Sequence, residues 1–140
     1  MDFGALNWTA AIVAALACFV SGFVWFGPKT FFPVWWRAMG KGEGDIPGQG
    51  QNMGLVFGLV TASALAQGVV MSIILGTVTH GADASLGTGL SVGLVTGLAV
   101  ILPALGHRLF AGHTVKVWVL ECGNDLLNFV LMGAVLSFLQ

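Results

Sequence analysis

The sequence predicts an all-α integral membrane fold, a four-transmembrane-helix bundle with a short interfacial helix in the first cytoplasmic loop. Three observations carry that reading. Of the 140 residues, 56% are hydrophobic and only 8% charged, with a mean hydropathy of +0.92, far outside the range of soluble globular domains. Four apolar runs, at about 7–28, 52–78, 85–106 and 115–139, each reach the ~20 helical residues needed to cross ~30 Å of hydrocarbon. None of them alternates with period two, so a transmembrane barrel is excluded and helices remain as the way to satisfy the backbone in lipid. The whole length, 1–140, is expected to form one transmembrane domain, because no polar tail leaves room for a soluble module.

The first run follows Met1-Asp2-Phe3, which lacks a basic start, so an uncleaved span is expected in place of a signal peptide. Along it Ala10, Ala14, Cys18 and Gly22 recur every four residues. The loop over 28–51 is rich in Gly and Pro and contains Phe31-Phe32-Pro33-Val34-Trp35-Trp36-Arg37-Ala38-Met39-Gly40. Its paired Trp and adjacent Arg predict a short helix at headgroup level, with Trp25, Trp35, Trp36 and Arg37 as interfacial anchors. Gripping a ligand or partner is the other use such residues have.

The second run carries Gly50, Gly54, Gly58, Ala62 and Ala66, and the third Ser85, Gly89, Gly93 and Gly97, both at intervals of four. Small residues so spaced let two helix backbones approach closely, which is how helices associate where lipid competes with Leu for apolar contact. The ridges serve either the packing of one protomer or contact between chains. A four-helix protein has little interior to absorb several such faces, which favours some contact between chains. Pro103 predicts a kink or an end to the third run, followed by a short basic connection over 107–114.

In the fourth run Glu121, Asn124, Asp125 and Asn128 stand at offsets of 0, 3, 4 and 7, on one helical face. At ~1.5 Å per residue from Val115, Glu121 lies about 9 Å and Asp125 about 15 Å deep. Two acids near a helix centre cost about 5 to 7 kcal/mol, and the 12 Val, Leu and Phe residues over 117–139 return about 4 to 7. The stripe must therefore face something polar. Gln67, Thr61, Ser63, Ser91 and Thr96 are the polar side chains available in the other runs, and a formal cation arrives only if Arg108, His107 or His113 folds in. The stripe with Gln67 is the candidate intramembrane polar site, either an interhelical hydrogen-bond cluster or a place for a proton or small cationic solute.

All five Lys and Arg residues fall in the first and third connections or at their edges: Lys29, Arg37, Lys41, Arg108 and Lys116. The positive-inside rule then puts both basic loops in the cytoplasm and both termini outside. A formal net charge of −1 offers nucleic acid no electrostatic footprint. Cys18 and Cys122 lie in apolar runs as small hydrophobes. No cofactor or metal is expected: His80, His107 and His113 lack ligand spacing, and no phosphate loop, nucleophile elbow or HExxH occurs.

Trp25-Phe26-Gly27-Pro28, then Phe32, then Trp35-Trp36-Arg37-Ala38-Met39-Gly40 resembles a run in the bacterial domain-of-unknown-function 1761 family. Leu109-Phe110-Ala111-Gly112, Gly123 and Met132-Gly133-Ala134-Val135-Leu136 resemble that family's later segments, in the same order. The resemblance implies a small four-helix membrane protein and identifies no catalytic residue; a bacterial inner membrane is the expected location. The chain departs from the family pattern at Glu121, where Asn is usual, and at Asn124 or Asp125, where an aromatic or His is. The expected function is thus non-enzymatic: a homo-oligomer or accessory subunit of a larger membrane complex, its partners being lipid and other membrane chains. A small proton- or cation-coupled transporter or channel using the fourth helix is the alternative.

Overall fold

The computed structural model describes residues 6–139 and is all-helical over that range; Met1-Asp2-Phe3 lies outside the described residues. The elements are α1 (Trp8–Trp25), α2 (Phe32–Ala38), α3 (Met53–Val78), α4 (Leu86–Phe110) and α5 (Val115–Leu139). All but α2 are long and apolar enough to cross a membrane. Three of these long helices start where an Asn or Ser side chain can accept from an otherwise unpaired first-turn N–H. Asn7 accepts from the Ala10 amide at 2.9 Å, Asn52 from Leu55 at 3.2 Å and Ser85 from Thr88 at 3.1 Å. Gly50, counted with the α3 ridge on spacing, lies in the turn before it with φ +81°, a left-handed backbone that glycine adopts at no steric cost.

Successive long helices run in opposite directions, so Trp25, α2, Met53, Phe110 and Val115 share one end, called here the basic end. Asn7 and Leu139 meet at the other, where the Asn7 amide donates to the Leu139 carbonyl at 2.7 Å. α5 is the central helix, packing on α4 and α1 along its length and on α3 towards the far end. There Ala10, Ala14 and Cys18 of α1, Met71 and Leu75 of α3, and Phe129, Met132 and Leu136 of α5 form the core.

The α4 ridge is used inside the protomer. Gly89, Gly93 and Gly97 are buried against α5, and a Cβ at Gly89 or Gly93 would overlap the carbonyl of Gly133 or Phe129. Gly68 does the same for α3 and α1, since a Cβ there would stand 2.7 Å from the Ala11 carbonyl oxygen. The α3 ridge is not so used. Gly54, Gly58, Ala62 and Ala66 are all exposed, and the buried residues of α3 begin only at Gly68. The basic-end half of α3 therefore stands clear of the bundle.

Pro103 does not end the third long helix. α4 continues through it to Phe110, and Gly112, with φ +82°, completes the stop. One missing N–H removes one rung of the hydrogen-bond ladder, and the helix continues for seven residues beyond it. The extension has a consequence for the site: His107 and Arg108 lie on the last turn of α4, where the sequence reading placed a loop.

Candidate functional site

At the end of α1 the chain turns on Thr30, whose hydroxyl lies within hydrogen-bond reach of the carbonyls of Val24, Trp25 and Gly27. This folds α2 back under α5. Six aromatic rings pack in the turn: Trp25 on Phe31 with centroids 4.4 Å apart, Phe26 edge-on to Trp35 at 5.4 Å, and Phe32 stacked on Trp36 at 5.5 Å, with Trp35 and Trp36 5.7 Å apart. A Trp ring joins a large apolar face to one N–H that needs an acceptor when buried. Trp25 donates to the Leu120 carbonyl and Trp35 to Glu121 Oε1, both at 2.9 Å. Gly123 leaves the room, because a Cβ there would meet the Trp25 ring at 3.1 Å. Of the expected anchors, Trp25 and Trp35 thus reach inward to α5. Trp36 donates to the Gly42 carbonyl, and Arg37 Nε to Pro33.

Glu121 takes its second partner from α4. Arg108 Nε stands 2.6 Å from Glu121 Oε2, with the Glu side chain 16% and the Arg side chain 44% exposed. One carboxylate is thereby faced by a guanidinium at ion-pair distance on one oxygen and accepts an indole N–H on the other, where the ionised acceptor makes the bond stronger than a neutral one. Arg108 is one of the three cations the sequence allowed to fold in. The pairing with Trp35 joins residues 86 apart, and no local pattern announces it.

The rest of the stripe is differently placed. Asn124 is buried at 7% exposure, beside Gly22 of α1, where a Cβ would lie 3.8 Å from Asn124 Nδ2. Asn128 sits one turn further along the same seam, and its backbone carbonyl accepts from Cys18 Sγ at 3.4 Å. Asn124 Oδ1, Asn128 Oδ1 and Ser21 Oγ are buried with no hydrogen-bond partner. Ser21 precedes Gly22 on α1 and escaped the sequence reading, since a lone Ser in an apolar run carries no spacing signal. Asp125 is exposed on the side of the protomer and makes no hydrogen bond or ion pair among the described residues.

Helical geometry explains that exposure. Met132 and Leu136, at offsets of 7 and 11 from Asp125, point within about 20° of its direction and are buried in the cluster with Met71 and Leu75 of α3. The face of α5 that α3 covers at the far end is uncovered at Asp125. Gln67, grouped with the stripe from sequence, is not brought to it: its Nε2 donates to Ser63 Oγ at 3.1 Å on its own helix. With its amide bonded one turn back along α3, its polar group is spent locally.

The segments that carry the family resemblance meet around Glu121: the Trp25 and Trp35 indoles, Arg108 just before Leu109, and Gly123. No curated protein and no solved structure matches the chain. The model of the family described as Protein of unknown function (DUF1761) matches residues 9–137, nearly the whole length, and the chain belongs to that family.

Proposed function

We propose that the chain is a non-enzymatic multi-pass protein of a bacterial inner membrane, working as a homo-oligomer or as an accessory subunit of a larger membrane complex. Both termini then face outward and the basic end lies in the cytoplasm. One observation carries the reading: among the described residues the basic-end half of α3 buries no residue, and its small-residue ridge is bare. A Cβ at Gly58 would meet nothing within 4 Å. Lipid chains fill a glycine-lined groove poorly, whereas a second helix can bring its backbone into it. Asp125, at mid-depth and uncovered, adds about 2.5 to 3.5 kcal/mol in favour of any neighbour that hydrates or pairs it.

Crosslinking from cysteines placed along 54–66, with native mass spectrometry from mild detergent, tests the proposal. A defined oligomer or a partner in fixed stoichiometry is expected. A lone monomer under both methods would end it. Single-cysteine labelling at Lys41 and Leu139 checks the orientation, Lys41 being expected to react only from the cytoplasmic side.

A second reading, proton- or cation-coupled transport, is favoured by the unpartnered oxygens beside Asp125. It predicts that Asp125→Asn abolishes cation or proton flux in proteoliposomes; unchanged flux would remove it.

A further inference from the structure

We infer that the seam between α1 and α5 binds a monovalent alkali cation through the Asp125 carboxylate and the side-chain oxygens of Asn124, Asn128 and Ser21. This deepens the second reading above and rests on it for a purpose, though not for its test. The first support is the kind of atom left over. Asn124 Oδ1, Asn128 Oδ1 and Ser21 Oγ are all buried and all lack a partner, and Asn124 is only 7% exposed. A buried polar atom with no partner costs about 1 to 3 kcal/mol, so three in one seam call for an explanation. Each can accept; a ligand that satisfies them must supply positive charge or donors.

Their placement is the second support. Asn124 and Asn128 are four residues apart on α5 and face α1, where Gly22 lies against the Asn124 amide and Cys18 bonds the Asn128 carbonyl. Ser21 stands between those two contacts in sequence, on the turn of α1 that carries both. Asp125 is on the adjoining arc of α5, about 60° from Asn128 at 100° per residue, and open where α3 stands away. The seam thus has a buried floor of neutral oxygens and a charged group at its uncovered edge.

Charge counting selects the ion. Arg108 is committed to Glu121, so the two acids and one Arg leave a single negative charge, on Asp125. The apolar runs over 7–28, 52–78 and 85–106 contain no Lys or Arg. A monovalent cation brings the site to neutrality, while a divalent one would leave a surplus charge in a poorly solvating surround. Carboxylate, amide and hydroxyl oxygens are hard ligands, which exclude the softer thiolate-seeking metals.

The test is thermal unfolding of the purified full chain in nanodiscs, in chlorides of sodium, potassium, lithium and choline at equal ionic strength. Stabilisation by at least one alkali ion over choline, saturating with concentration, is expected. Asp125→Asn should weaken the apparent affinity roughly a hundredfold, and Asn124→Ala and Asn128→Ala roughly tenfold each, within the span that supporting groups at ion sites show. Lys116→Gln, outside the seam, should leave it unchanged. In choline Asp125→Asn should unfold no lower than the parent, which separates lost binding from misfolding. Equal midpoints in all four salts, an ion effect that survives Asp125→Asn, or stabilisation by acid alone would overturn the site. An ion bound without flux keeps the site and removes only transport.

Discussion

α3 and α4 carry the same signal and meet different fates. Both set small residues at intervals of four, yet Gly89, Gly93 and Gly97 are buried against α5 while Gly54, Gly58, Ala62 and Ala66 are bare. Spacing encodes a capacity for close approach and says nothing about which helix takes it up. The partner is decided by complementarity: α5 answers α4 with Gly133 at the matching level, so two glycines meet backbone to backbone. α1 answers α3 at Gly68, and among the described residues the four nearer the basic end stay exposed.

Substitutions at equivalent positions of the two ridges separate these fates most sharply. Gly93→Leu drives a side chain into the Phe129 backbone and should lower unfolding stability by about 3 kcal/mol or more, read by thermal or denaturant melts in detergent. If it melts like the parent, the α4–α5 seam is not as tight as described. Arg108→Ala leaves Glu121 without its cation and should cost about 1 to 2 kcal/mol, below the 3 to 5 of a fully buried pair because the guanidinium is 44% exposed. Adding Glu121→Gln should recover part of that loss; no recovery would mean the two groups are not coupled. Trp35→Phe keeps the ring packing, removes one donor to Glu121, and should cost about 1 kcal/mol in the same assay. Smallest of all, Gly58→Leu should change protomer unfolding by no more than about 0.5 kcal/mol while weakening the association seen by crosslinking. A large melting change at Gly58 would show that the ridge is occupied within the protomer after all.

The same contrast explains what was legible. The four long helices lie within a few residues of the apolar runs because hydrophobic length is a local property, and Asn7, Asn52 and Ser85 mark starts by local chemistry. Pro103 misled at the end of α4, since one missing donor is a local warning that the flanking turns overrule. At the site, offsets of 3, 4 and 7 put the stripe on one face. They could not divide it into a partnered Glu121, a buried pair of amides and an open Asp125. That division depends on where α1, α2, α3 and α4 surround α5, which is tertiary. Gln67 shows the limit plainly: a polar residue at mid-span is available to the stripe by composition and unavailable by direction, its amide bonded to Ser63.

The contact of Gly68 with the Ala11 carbonyl has a mechanical meaning. Fifteen residues separate Gly68 from Met53, a lever of about 22 Å at ~1.5 Å per residue. With the far end clamped by Met71 and Leu75 in the core, that glycine is the fulcrum. A tilt of about 10° there sweeps the free end through about 4 Å, by the same helix rise. A side chain larger than hydrogen at position 68 would meet the Ala11 carbonyl and, carried along that lever, would displace the basic-end half of α3 most where Asp125 stands uncovered.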